Sequence, residues 1–240
     1  MNSKVSKILI IATICLVSGL STVKAQTDGN YDYTKEFIWG INKNTNGGLI
    51  GGFFFKWSKA LGERTFMTIS FELMNVKHPK EHRINGIQGQ FIYAKSNYLY
   101  TIRAQYGRDH ILFKKAAQKG VQINFAYSGG PTLGVIAPYY VRSAEDQRAY
   151  PYDPERFPTP GTIISTGNLF QGLGESQITV GLNIKGSLIF EMGAFKSNVT
   201  GFEIGALIEA FPQTVELMPL EDNRAVFVAA FITLFYGKRK

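Results

Sequence analysis

Histidines are the residues of this sequence whose spacing first suggests chemistry. His78 and His82 stand four residues apart in the stretch HPKEH, with Glu81 between them, and His110 stands alone. On a helix, the i and i+4 spacing could place both imidazoles on one metal ion, with the carboxylate alongside. Two solvent-exposed loop histidines are the simpler interpretation, and we favour it. We therefore expect no metal ion and no other cofactor.

A nucleophile with a base and an orienting acid is the other chemistry to consider. The sequence contains neither H-x-S nor G-x-S-x-G, and GLGES at 172–176 matches neither pattern. The only cysteine, Cys15, lies in an apolar stretch near the N-terminus. Because function must be argued from a site, and no site is evident, we predict that the protein is not an enzyme.

The N-terminus has the composition of a secretory leader. Lys4 and Lys7 precede an apolar run at 8–20, and Val23-Lys24-Ala25 provides a cleavage site of the A-x-A kind. The run is shorter than the roughly twenty residues of a membrane-spanning helix. We predict a signal peptide at 1–25, which implies export, and a short lead-in at 26–34.

The charge balance of the mature chain is mildly basic. The whole sequence has 26 basic and 18 acidic residues, and loss of the three leader lysines leaves a net charge of +5. No run of Lys or Arg alternates with aromatic residues. We therefore expect no nucleic-acid partner.

Apolar residues recur at every second position through most of the mature chain. This period of two is typical of strands with one apolar and one polar face. The longest example, at 177–193, is far longer than the five or six residues usual in soluble proteins. The eight stretches are EFIWGIN (36–42), GLIGGFFFKW (48–57), TFMTISFEL (65–73), YLYTIRAQY (98–106), VQINFAYS (121–128), QITVGLNIKGSLIFEMG (177–193), GFEIGALIEA (201–210) and VFVAAFITLFY (226–236).

Eight such strands would expose long edges unless the sheet closes into a barrel. A soluble barrel would be apolar inside, and a transmembrane barrel would be apolar outside. Strand length and the small, polar second face favour the transmembrane form. We predict an all-β, antiparallel, up-and-down transmembrane β-barrel at 35–240 with eight strands. Ten strands remain an alternative, if Gly129-Gly130-Pro131 splits the segment 121–142 and IQGQFIYA (87–94) adds another strand.

Two sets of side chains follow from this choice of faces. We expect a charge network in the barrel interior, formed by Glu36, Lys56, Glu72, Arg103, Lys185, Glu191, Glu203 and Glu209. Pairing of these charges within a filled lumen is favoured over a conducting pore. We expect aromatic residues at the lipid interfaces, namely Trp39, Trp57, Tyr98, Tyr106 and Tyr236.

The connections should alternate between long outer loops and shorter inner turns. The predicted outer connections are 44–47, 78–95, 144–176 and 213–223, and the inner ones are 60–63, 108–119 and 195–198. The long loop near 144–176 contains four prolines between aromatic residues, so its middle cannot be a helix. An ordered, partner-binding structure and a floppy cap are both compatible with this composition.

The chain resembles the small outer-membrane β-barrel proteins of Bacteroidota-type Gram-negative bacteria. The resemblance rests on the leader ending VKAQ, the opening WGINKNTNGGLIGG and the closing FVAAFITLFYGKRK. It implies location in the outer membrane, contact with outer-membrane lipid, and a role as a non-enzymatic anchor or component of an envelope or secretion assembly. Envelope or secretion-machinery proteins would be its partners. A small channel or porin is the first alternative and a lipid A-modifying barrel enzyme is the second.

Overall fold

The computed structural model describes residues 34–47, 51–114, 120–168, 171–192 and 198–240. The predicted signal peptide at 1–25 and nearly all of the lead-in at 26–34 lie outside these residues. So do Leu49 and parts of the predicted inner turns. No helix within the described ranges is long and apolar enough to cross a membrane.

Eight antiparallel strands close into a ring, as predicted. In ring order the strands are β1, β13, β12, β11, β7, β6, β3 and β2. Pairing of β1 with β13 closes the ring, so these strands leave no long edge unpaired. In chain order the strands are β1 Lys35–Asn44, β2 Gly52–Gly62, β3 Thr65–Val76, β4 Arg83–Asn85, β5 Gln90–Ile92, β6 Asn97–Phe113, β7 Gln122–Pro138, β8 Tyr140–Ser143, β9 Ala149–Pro151, β10 Ile163–Thr166, β11 Gln177–Met192, β12 Asn198–Val215 and β13 Arg224–Arg239.

The apolar face of each ring strand points outward. On β11, Leu182 and Ile184 are 68% and 70% exposed, whereas Asn183 and Lys185 are buried. Even β13, which is apolar on both faces, keeps this alternation. The outward apolar band includes Phe37, Ile41, Phe53, Phe55, Ile69, Phe71, Leu73, Ile102, Phe125, Leu133, Ile178, Val180, Leu188, Ile204, Ile208, Val226, Val228, Ile232 and Leu234.

The ten-strand alternative is wrong for two reasons. Residues 87–94 contribute only β5, which pairs with β4 outside the ring. Strand β7 runs unbroken through Gly129-Gly130-Pro131. Proline has no N–H to donate to a ladder. Accordingly, the pairing of β6 with β7 is interrupted between the Arg103–Thr132 pair and the Tyr106–Gly129 pair.

The connections at the two ends of the ring differ in size. We call the end that holds Lys35 and Arg239 the terminal end. The opposite end, which we call the cap end, carries the segments 77–96, 139–176 and 216–223. These segments contain a three-stranded sheet in the order β10, β8, β9, the hairpin β4–β5, and two 3-10 helices, Pro160–Thr162 and Gln171–Glu175. The described parts of these segments form a folded structure, which we call the cap.

The cap has its own hydrophobic core, and this core sits on the ring. Phe91, Tyr139 and Phe157 from the cap pack in one cluster with Leu99 and Phe211 from the strands. The Ile92 N–H also donates a hydrogen bond of 2.9 Å to the Tyr139 hydroxyl. The long loop is therefore an ordered structure in its described residues. The other buried members of the cluster are Val76, Ile92, Ala94, Val141, Tyr152, Ile163, Val215, Leu217, Met218 and Phe227.

Truncation of Phe157 should open the cap without opening the ring. Phe157 is 1% exposed, and Phe→Ala in a core costs about 3–5 kcal/mol. We expect Phe157→Ala to make the segment 139–176 sensitive to limited proteolysis while the ring strands stay protected. Leu173→Ala is the matched control because Leu173 is exposed. Equal resistance of Phe157→Ala and the wild-type protein would contradict a cap held by this core.

Candidate functional site

All eight side chains predicted to line the interior are buried inside the ring. Two further charges, Asp109 and Arg239, join them and complete their pairs. Among the described residues the interior thus contains six carboxylates and four cations. Burial of an isolated charge is very unfavourable, so each group requires a partner or hydrogen bonds. The contacts below satisfy that requirement.

Arg103 on β6 stands between two carboxylates on opposite parts of the ring. Its Nε and Nη2 atoms donate to both oxygens of Glu209 on β12, at 2.7 and 2.8 Å. Its Nη1 donates to Glu72 on β3 at 3.3 Å. The bidentate contact has the geometry in which guanidinium and carboxylate bind most strongly. Because β6 and β12 are separated by two strands in the ring, this pair crosses the lumen.

Lys185 on β11 extends the same network towards the terminal end. Its ammonium lies 2.7 Å from Glu72 and 3.1 Å from Glu203. Its Nζ also lies 4.8 and 4.5 Å from the ring centroids of Phe54 and Phe231. Contact with aromatic faces further stabilises a desolvated cation. Glu203 in turn accepts a hydrogen bond of 2.6 Å from the Ser187 hydroxyl.

A separate buried ion pair joins Lys56 on β2 to Asp109 on β6. The Nζ to Oδ2 distance is 2.7 Å. We predicted an inner connection at 108–119, but β6 continues to Phe113, so Asp109 remains on the inward face. The alternation Arg103, Gln105, Gly107, Asp109 is the signal that would have identified it.

Arg239 closes the network at the terminal end of the lumen. Its guanidinium contacts Glu36 on β1 at 2.5 Å and also contacts Glu191 on β11. Glu191 accepts a further hydrogen bond of 3.0 Å from the Asn124 amide. The basic ending GKRK gave no indication of this role, because Arg239 could be placed only once β13 was known to extend that far.

A chain of neutral polar groups supports the irregular pairing at Pro131. The Asn183 amide donates to the Gly130 carbonyl at 3.0 Å and to the Thr132 hydroxyl at 2.9 Å. Its own oxygen accepts from Gln105 at 2.7 Å. The Asn183 side chain therefore hydrogen-bonds to the β7 backbone close to the point where the pairing of β7 with β6 is interrupted.

The aromatic residues predicted at interfaces fall into two groups. Trp39, Trp57, Tyr106 and Tyr236 lie on the outer surface of the ring towards the terminal end, and Trp39 meets Tyr236 edge to face with centroids 6.1 Å apart. Tyr98 lies at the other end, where it packs against the cap core.

The three histidines lie in different surroundings. His78 is buried, which differs from the expected exposed loop residue. Its Nδ1 accepts from the Lys80 N–H at 3.3 Å and its Nε2 lies 3.2 Å from the Asp222 carbonyl oxygen. His82 is exposed, and His110 pairs with Thr65 on the outer surface. Within the described ranges, no group of three His, Cys, Asp or Glu residues could hold a metal ion.

A buried ion pair also lies inside the cap. The Lys95 ammonium contacts Glu81 at 2.6 Å, and Lys95 is fully buried. Burial lowers the pKa of Lys95 although the Glu81 carboxylate acts in the opposite direction. The Glu81 carboxylate also accepts the His78 N–H at 3.0 Å. The pair thus ties the segment after β3 to the segment before β6.

Comparison with known proteins adds only structural neighbours. No protein-family model and no curated protein sequence matches the chain. Ail, the attachment invasion locus protein of Yersinia pestis, is 11% identical, with a TM-score of 0.40 over 87% of this chain and 99% of that one. Neisserial surface protein A is 9% identical, with a TM-score of 0.38 over 87% of this chain and 96% of that one. The N-terminal barrel domain of Pseudomonas aeruginosa OprF is 9% identical, with a TM-score of 0.35 over 87% and 98%.

These neighbours are outer-membrane β-barrel proteins. At such low TM-scores their likeness carries no information about the activity of this chain. The eight-stranded barrel is established by its own strand pairing.

Removal of Arg103 should destabilise the barrel more than removal of the complete ion pair. Arg103→Met leaves Glu209 buried without its partner, and breaking a buried pair costs about 3–5 kcal/mol. The double variant Arg103→Met, Glu209→Leu should recover much of that loss, since Glu72 keeps Lys185. Urea unfolding of the refolded protein in lipid vesicles measures all three proteins. An Arg103→Met variant as stable as wild type would show that the network does not hold the interior together.

Proposed function

We propose that this protein is an outer-membrane β-barrel that acts as a closed, non-enzymatic anchor for its cap, as a component of an envelope or secretion assembly. The single observation that carries the proposal is the inverted arrangement of the ring. Its outer face is apolar and its interior holds paired charges. A water-soluble barrel has the opposite arrangement.

The outward surface is suited to hydrocarbon. Large aliphatic and aromatic side chains cover it on every ring strand, and two of the most exposed, Leu182 and Ile184, lie midway along β11. Contiguous apolar patches on soluble monomers rarely exceed a few hundred Å². Several ring strands exceed the nine to eleven residues or so that cross a bilayer. Transmembrane barrels of this kind belong to outer membranes, which agrees with the exported leader predicted from the sequence.

The filled lumen favours an anchor over a channel. Arg103 and Lys185 each connect strands on different parts of the ring, and Arg239 occupies the terminal end. The cap core covers the other end, with Leu99, Phe211 and Phe227 reaching into it from the strands. An eight-stranded barrel is just wide enough for side chains to fill. These contacts support a lumen without a continuous aqueous path.

The cap is the surface best suited to a protein partner. It is ordered by a hydrophobic core and an internal ion pair, yet it leaves large apolar side chains in solvent. Ile87, at the tip of the β4–β5 hairpin, is 84% exposed, and Leu220 is 63% exposed. Rigid surfaces with exposed apolar anchors are typical of binding sites. A lipid A-modifying enzyme would instead need a nucleophile and base near the rim that carries the cap. The His78 imidazole contacts backbone groups there, and the contact between the Thr65 hydroxyl and His110 lies towards the terminal end.

The lumen should not conduct ions. Purified monomer inserted into planar bilayers at neutral pH should give no stable current steps, because its interior is occupied by side chains on both sides of the midplane. A water-filled porin measured in the same membranes is the positive control. Stable steps of the size expected for an open pore would contradict the closed barrel and favour the channel alternative.

The partner surface can be located by photo-crosslinking in cells. A photoreactive amino acid at Ile87 or Leu220 should give crosslinks to other envelope proteins. The same residue at Val228, which lies on the outward face of β13 and is about as exposed as Leu220, should give crosslinks to lipid. Absence of protein crosslinks from both cap positions would remove the support for an assembly role.

A further inference from the structure

Four ring strands repeat one pattern near the terminal end. Each carries an outward aromatic residue and, two positions closer to that end, an outward basic residue. Because side chains two apart on a strand share a face, each pair lies in line on the outer surface. The four pairs are Phe37 with Lys35, Trp57 with Lys59, Tyr106 with Arg108, and Tyr236 with Lys238. We call the four basic residues the basic arc.

The residues of the basic arc lie close to one level on neighbouring strands, with a single interruption on β3. Lys35 on β1 is directly opposite Lys59 on β2, and Lys238 on β13 is opposite Phe37 on β1. On the far side of β2, Met67 on β3 separates Lys59 from Arg108 on β6. The arc thus covers five neighbouring strands, from β13 through β1, β2 and β3 to β6.

The placement of Lys35 opposite Lys59 is unfavourable by itself. Like charges in directly opposed cross-strand positions destabilise a sheet. Within the described residues, neither lysine has a carboxylate partner. In the β2–β3 turn, Glu63 is followed by Arg64, so this turn adds no net negative charge to balance the arc. An anion from outside the described residues would relieve this repulsion.

The remaining ring strands contrast with the arc. The described residues of β7, β11 and β12 contain one basic residue, Lys185, and it points into the interior. Near the terminal end their outward positions hold Ile123, Phe190 and Phe202. Among the described strand residues near the terminal end, outward positive charge is thus concentrated on β13, β1, β2 and β6 and is absent from β7, β11 and β12.

The aromatic partners fix the depth of the arc in the bilayer. Tryptophan and tyrosine concentrate at the level of lipid headgroups. Arg108 folds back to this level, since its Nη1 donates to the Tyr106 hydroxyl at 2.7 Å and its guanidinium lies 5.0 Å from the Tyr106 ring centroid. Basic groups beside such a girdle lie where headgroup phosphates are found. An acidic protein surface would have to approach at the membrane boundary itself, so the position favours lipid.

We propose that the basic arc binds the phosphate groups of anionic phospholipids in the leaflet at the terminal end of the barrel. The inference rests on the proposed membrane location. Lysine and arginine near a membrane surface attract anionic lipids. Two opposed lysines can share one phosphate, and Arg108 can donate to another. The barrel would then carry an anionic lipid patch on the side formed by β13, β1, β2, β3 and β6.

The test compares two lipids at the surface of the folded barrel. The full-length mature protein is reconstituted into phosphatidylcholine vesicles that contain trace spin-labelled phosphatidylglycerol or spin-labelled phosphatidylcholine. Electron paramagnetic resonance gives the fraction of each label immobilised by the protein. The test variant combines Lys35→Gln, Lys59→Gln, Arg108→Gln and Lys238→Gln. The control variant removes four exposed charges elsewhere, through Lys43→Gln, Arg83→Gln, Arg142→Gln and Arg148→Gln.

Wild type and the control variant should both immobilise more phosphatidylglycerol than phosphatidylcholine. In the test variant, the ratio of the two immobilised fractions should fall by about fivefold or more. A fivefold change is roughly the effect of one lysine near an anionic membrane surface. Immobilisation of both lipids to the same extent by wild type would overturn the inference while leaving the membrane location intact. Equal loss in the two variants would overturn it too, because the effect would then reflect total charge. Failure of the proposed membrane location would give a different result from failure of this inference, because a barrel outside the bilayer would immobilise neither lipid.

Discussion

The pairing of charge inside a narrow ring is the constraint on which the rest of the structure depends. Once the apolar faces of eight strands point outward, their polar faces must share a lumen that holds little beyond side chains. A carboxylate such as Glu209 can be buried there only because Arg103 reaches it across the ring. The same requirement explains why the charges come from different strands. Four of these ion pairs act as cross-braces between strands that do not pair with one another, namely Arg103–Glu209, Lys185–Glu72, Lys56–Asp109 and Arg239–Glu191.

At the cap end, apolar side chains fill the interior of the ring in place of charges. The segments of the cap connect strands of the closed ring, so the ring fixes the positions of their ends. Leu99, Phe211 and Phe227 are inward ring residues that belong to the cap core, and they replace the ion pairs as filling at that end. The lumen thus changes from charged to apolar along its length. The barrel and the cap therefore share one apolar cluster, in which Leu99, Phe211 and Phe227 belong to the ring.

The sequence predicted what depends on local periodicity and left open what depends on distant contacts. The faces of β11 were predictable because eight apolar residues or glycines alternate without a break, and the same rule gave the ring of eight strands. Asp109 and Arg239 were missed since the limits of β6 and β13 are set by pairing with their neighbours, which the sequence alone does not show. His78 was expected in solvent. Its burial depends on Asp222, which is distant in the sequence and becomes its neighbour only through the fold.

The cap was the largest gap between sequence and structure. Four prolines excluded a helix in the middle of 143–176, but nothing local distinguished an ordered cap from a floppy one. Its order comes from side chains such as Phe157 and Tyr139 that meet residues of β6 and β12 far away in the chain. Pro131 is a second example. The sequence showed that a proline would remove a hydrogen bond from the sheet. It did not show that Asn183 on the neighbouring strand supplies hydrogen bonds to β7 beside it.

The orientation of the two faces of β11 tests the account most directly. Residues 26–240 contain no cysteine, so in a protein of these residues single cysteines carrying spin labels can be placed at Leu182, Ile184 and Leu188 on one face and at Asn183 and Ser187 on the other. In lipid vesicles, oxygen dissolved in the bilayer should relax the labels of the first set strongly and those of the second set weakly. The opposite pattern would show that the polar face is outside, and it would contradict both the membrane location and the closed, ion-paired interior.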